Sequence, residues 1–259
     1  MSRLPRYVTA AALAVLAVVP LSGSTSATSA ASSWGKAPHR ATVTWGHTDA
    51  VMAGTTATSS TALFKFSSIV SGKPVRWNPC ATIHWRFRAS GAPSGALSIV
   101  KASVARVSTA TGIRFAYDGT TTSTPTSAWL PKTTLGIKPL LIGWTDAAHS
   151  DLLRNQPAAV LGVTRTAYFG IVQGGITLAA TKAAVIALDR TNKLPLTGSV
   201  SWTTTLLHEL GHAMGLDHVG NSHELMYPVL QRSLTGLQTG DRAGLARLGR
   251  TAGCIDLGF

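Results

Sequence analysis

Acidic residues are scarce in this sequence: 10 Asp and Glu stand against 23 Lys and Arg in 259 residues, a formal net charge of +13. So few carboxylates leave little from which to build calcium-binding loops. The bases are scattered, and no Lys/Arg-rich block marks a nucleic-acid-binding face. A positive surface of this kind favours anionic partners such as cell-wall polymers, acidic proteins or lipid headgroups. Long apolar runs are also missing after the first 21 residues, so no membrane span is expected in the mature chain. Cysteine occurs only at Cys80 and Cys254.

What is present at the beginning reads as a secretory signal. Arg3 and Arg6 form a positive n-region, and residues 8–21 are an uncharged run too short and Ala-rich to span a bilayer. Small residues follow, with cleavage expected after Ala27 or Ala30. The mature chain is therefore expected outside the cytoplasm, as a soluble monomer. In an exported chain an isolated cysteine pair reads as a disulfide rather than as two free thiols. A Cys80–Cys254 bridge closes a loop of about 175 residues, for which the chain-entropy model gives up to ~5 kcal/mol.

Three segments follow from composition: residues 1–30 as signal peptide, 31–71 as a linker or propeptide, and 72–259 as the folded domain. The middle segment is rich in Ser, Thr, Ala and Gly without periodicity, and no packed core is expected there. Order is expected from about Gly72. Ile83, Trp85 and Phe87 alternate with His84, Arg86 and Arg88, the pattern of a half-buried strand. Leu97, Val100, Val104 and Val107 recur at helical spacing, closed by Gly112. Further strands are predicted through Ile113, Phe115 and Tyr117, over 139–144, over 160–171 as an edge strand, and over 183–188. A helix is predicted from Ser201 through Met214, and a last short one capped by Thr239, with Asp241 in its first turn and Leu245 and Leu248 buried. The order is that of a mixed α/β (α+β) domain.

The stretch His208-Glu209-Leu210-Gly211-His212 places two imidazoles four residues apart, on one face of a helix and within reach of one ion. Glu209 then points beside such an ion, where it serves as general base towards a bound water. Gly215 lets the chain leave the helix, and His218 returns as a third ligand. Three neutral imidazoles leave one tetrahedral position open, as in catalytic rather than structural zinc sites. Extension to Gly215 and His218 makes the pattern far rarer than the bare His-Glu-x-x-His.

This motif resembles the zinc signature of the metzincins, and Leu225-Met226-Tyr227-Pro228 resembles the methionine turn of their matrixin branch. The resemblance is close over residues 202–230, and the element order of 72–253 fits it. It implies a zincin-like, five-stranded twisted mixed sheet with one antiparallel edge strand above a cleft, an active-site helix and a C-terminal helix. It implies a secreted zinc-dependent endopeptidase with one catalytic Zn(2+) on His208, His212 and His218, and Met226 as an apolar floor rather than a ligand. Protein or peptide substrates are expected to lie extended along an edge strand within 160–169. Pro228, Val229 and Leu230 match the segment that walls the specificity pocket, with Leu230 where an aromatic residue is common. Pro228 stands where other metzincins carry a metal-reaching tyrosine, so Tyr227 is not expected to be a fifth ligand.

Three departures separate this chain from the family pattern. No cysteine precedes the domain, so the thiol switch of matrixin latency is missing. His149 and Asp151 match the first two ligands of the family's structural zinc, but histidines are absent where the other two belong. Structural calcium is unsupported in so acid-poor a chain. His223 and Glu224 read as a solvated loop, and Trp144, Trp202 and Phe115 as core aromatics. Two other functions share the motif: a zinc hydrolase acting on a cell-wall amide, which a basic surface suits, and a non-catalytic secreted zinc-binding protein.

Overall fold

A computed structural model describes residues 42–45, 49–52, 62–132, 136–173 and 175–256. The signal-peptide reading, including Ala27 and Ala30, lies outside the described residues. In chain order the elements are strands β1 (Thr42–Trp45), β2 (Asp49–Met52), β3 (Lys65–Phe66), β4 (Ile69–Val70), β5 (Lys73–Pro74) and β6 (Ile83–Arg88), helix α1 (Ala96–Thr111), and strands β7 (Phe115–Thr120), β8 (Leu140–Thr145), β9 (Val160–Gln173) and β10 (Ile176–Asp189). Helix α2 (Trp202–Met214), strand β11 (Leu216–Asp217) and helix α3 (Thr239–Leu248) complete the fold.

The sheet is the expected mixed one. β7, β6, β8 and β10 lie side by side and parallel, and β9 joins β10 antiparallel. All six residues of β8 are buried, as a continuously apolar central strand requires. Leu140, Ile142 and Trp144 face the helices and Leu141 faces the opposite core, the two-residue alternation of a pleated strand. α1 buries Ile99, Val100, Val104 and Val107, and Gly112 ends it at φ 69°. Trp144 and Trp202 meet edge to face at 5.5 Å in this core, and Phe115 packs against it.

One feature differs from the five-strand expectation. β1 and β2 pair antiparallel with the outer edge of β9, extending the sheet to seven strands. Both lie in the stretch where composition alone predicts no packed core, yet Val51 is fully buried in the main core. β3 and β4 likewise precede Gly72, and β3 pairs with β11 just after the helix that carries the histidines. Cys80 and Cys254 are bonded, with Cα atoms 5.3 Å apart, tying the segment before β6 to the C-terminal segment. Among the described residues no helix is long and apolar enough to cross a membrane.

Candidate metal centre

α2 begins where Ser201 accepts the Thr204 backbone N–H, the side-chain cap that a helix start requires. Every residue of the helix is buried, so its orientation is fixed from all sides. It ends at Gly215, at φ 115°, where a Cβ would come 2.7 Å from the Val75 carbonyl oxygen. Glycine is therefore required there both for the left-handed turn and for space. The turn leads directly into β11, whose pairing with β3 sets the start of the return path to His218.

The path brings three imidazoles together. His208 Nε2 lies 3.0 Å from His212 Nε2 and 3.1 Å from His218 Nε2, and the last two are 3.2 Å apart. A tetrahedral zinc with Zn–N bonds of ~2.0–2.1 Å sets nitrogens roughly 3.3 Å apart, so the triangle fits such an ion closely. The far sides of the rings are also fixed. His208 Nδ1 is 2.6 Å from the Leu225 carbonyl oxygen, and His212 Nδ1 is 2.9 Å from that of Leu216. A carbonyl only accepts, so each Nδ1 donates and each Nε2 lone pair is left facing the cluster. Burial, reinforced by His212 and His218, holds the His208 imidazole well below its ordinary pKa and hence neutral. Among the described residues this is the group of three potential ligands that could hold a metal ion.

The surroundings hold this geometry. Asp217 accepts the His218 backbone N–H at 2.8 Å and pairs with Lys65 at 2.5 Å. Burial works against the Asp217 charge, but Lys65 and the His218 N–H outweigh it and keep the carboxyl below its usual range. Met226 is wholly buried against α2, where a Cβ at Gly211 would collide with its Sδ. Its carbonyl accepts the Val219 N–H, which closes the loop behind His218. Glu209 is wholly buried, and Thr164 of β9 donates to its Oε2 at 2.6 Å.

A family model for the matrixins matches residues 101–249, more than half of the chain. The chain belongs to the matrixins. As one of them it is a zinc metallopeptidase, and its His208, His212 and His218 offer the donor set that such an ion needs. The comparison with curated proteins found no match.

Other residues singled out in the sequence fall elsewhere. His149 Nδ1 is 2.5 Å from Asp146, and Asp151 accepts from the Ser127 backbone and side chain; among the described residues neither belongs to a group of three potential metal ligands. Val229 and Leu230 are buried, Leu230 in the main core, and Pro228 is half-buried. Glu224 is not part of a solvated loop. It is buried, and it accepts the Asp241 backbone N–H at 3.0 Å. The cap of α3 is Gln238, with Thr239 its first helical residue. Asp241 reaches back from α3 to accept the backbone N–H groups of Leu225 (2.8 Å), Met226 (3.1 Å) and Gln238 (2.7 Å). In the sequence Asp241 reads only as a first-turn acid, because Leu225 and Met226, whose N–H groups it accepts, lie 16 and 15 residues away.

Proposed function

We propose that this matrixin is a secreted endopeptidase that cleaves extended polypeptides, with Glu209 as general base and the metal held by His208, His212 and His218. The observation that carries the reading is the triangle of three Nε2 atoms within 3.2 Å of one another, with a buried carboxylate on the residue next to His208. Zinc in such a site supplies an acidified water and a Lewis acid for the scissile carbonyl. Glu209 accepts the proton of the attacking water and returns it to the departing amine. Met226 gives the site an apolar floor, and residues 228–230 wall the pocket for the substrate side chain beyond the cut.

The outer edge of β9 supports an extended substrate. Its backbone takes up β2 antiparallel, with Asp49 opposite Thr164 and Val51 opposite Gly162, and β2 also lies against α2. A substrate strand would use the same N–H and C=O groups. Residues 31–71 are then a pro-segment whose strands β1 and β2 compete for the edge, a latency that needs no thiol. Export suits the Cys80–Cys254 disulfide.

Glu209→Gln tests the assignment. The variant is expected to bind one zinc per chain and to lose nearly all chelator-sensitive digestion of a peptide library. Proteolysis at the native rate would refute the role given to Glu209.

A further inference from the structure

We propose that Thr164 is a positioning residue for the Glu209 carboxylate, and that Gly162 supplies the space in which that carboxylate is held. The inference rests on Glu209 being the general base, and it gives β9 a second task besides presenting a cleft edge.

Residues 162 and 164 are two apart on β9, so both face α2, while Val163 between them packs into the core on the other side of the sheet. At position 162 a Cβ would lie 3.0 Å from Glu209 Cγ and 3.1 Å from its Oε1, with Leu188 Cδ2 also at 3.0 Å. Those separations are tighter than ordinary contact, so a side chain at 162 would crowd the Glu209 side chain and Leu188 and require one of them to shift. At position 164 the hydroxyl is buried and 2.6 Å from Glu209 Oε2, the length of a charge-assisted O–H···O bond. The same Oγ1 lies 3.1 Å from the Glu209 backbone carbonyl oxygen.

These two acceptors make a hydroxyl suited to the position. It carries one proton and accepts through its lone pairs. With Glu209 ionised, Thr164 donates to Oε2. The Glu209 carbonyl oxygen is a second acceptor within reach of the same Oγ1, so the hydroxyl is held between two oxygens of one residue. A methyl group in place of the hydroxyl leaves Oε2 without that donor in a dry site, a costly arrangement that Glu209 relieves by rotating away.

The test compares the protein as secreted with its Thr164→Val, Thr164→Ser, Glu209→Gln and Thr164→Val/Glu209→Gln variants. Valine keeps the branched shape and suits a strand, so the fold is expected to hold. For Thr164→Val we expect kcat on a fluorogenic peptide to fall about 10- to 100-fold, as loss of a supporting hydrogen bond commonly does. KM, zinc per chain and the melting temperature should stay at native values. Thr164→Ser should restore most of kcat. In the Glu209→Gln background the valine change should cost nothing further, because the group it positions is gone. Native kcat in Thr164→Val, a fall matched by zinc loss, a serine variant no better than valine, or an undiminished loss in the double variant would each overturn the proposal. Native kcat in Glu209→Gln would instead overturn the general-base reading on which it rests.

Discussion

The Asp241 carboxylate accepts the Leu225 backbone N–H at 2.8 Å, and the carbonyl oxygen of that same Leu225 faces His208 Nδ1 at 2.6 Å. One residue thus links the C-terminal helix to the first histidine of the candidate metal centre. Asp241 is buried, and burial raises its pKa despite the donors from Gln238, Leu225 and Met226. Asp241→Ala is expected to leave those buried N–H groups unanswered and to destabilise the protein by about 3 kcal/mol or more. Zinc affinity should fall about 10- to 100-fold as His208 loses its fixed orientation. Denaturant unfolding and competition with a chelating dye measure the two effects; native zinc affinity would show that Leu225 holds His208 without help.

Truncation should release the edge of β9. A chain beginning at residue 62 lacks β1 and β2. Its initial rate on a fluorogenic peptide is expected to exceed that of the full-length chain, and a synthetic peptide of residues 42–52 should inhibit it competitively. A rate equal to or below that of the full-length chain, with no inhibition by the peptide, would contradict the pro-segment reading.

The Cys80–Cys254 bridge spans a sequence separation of 174. Closing so long a loop reduces the entropy of the unfolded chain by the equivalent of up to ~5 kcal/mol. Reductant should therefore lower the melting temperature of the native protein and leave that of a Cys80→Ala/Cys254→Ala variant unchanged. Coincident melts of the native protein with and without reductant would show that the bridge contributes nothing.

Acid sensitivity should report on Asp146. Its hydrogen bond with His149, together with the Arg190 guanidinium and against some cost of burial, lowers its pKa from 3.8 to about 2. A carboxylate depressed in the folded state contributes stability above its unfolded pKa, and that contribution disappears as pH falls through the folded value. Between pH 4 and pH 2 the native protein should lose melting temperature faster than Asp146→Asn. Parallel curves for the two would remove Asp146 from the acid response.

Local patterns determined much of this protein. The alternation of Ile83, Trp85 and Phe87, the helical recurrence of Val100, Val104 and Val107, and the four-residue spacing of His208 and His212 each record a periodicity set by the backbone, and each lies in the element that the periodicity predicts. A strand or helix repeats every two or 3.6 residues whatever surrounds it, so those elements are legible from neighbours in sequence. The methionine turn, and the likeness of the Gly-Leu-Asp-His return to the family pattern, are legible only through the resemblance to the matrixins, since neither follows a backbone repeat. Only the tertiary structure decided which distant groups meet. Thr164 reaches Glu209 across 45 positions, Asp241 reaches Leu225 across 16, and the polar stretch before residue 62 contributes two strands to the edge of β9. Such contacts follow from the packing of whole elements. A threonine in an apolar strand, an aspartate in a first turn and a Ser/Thr-rich segment carry no local signal of the partner they will find.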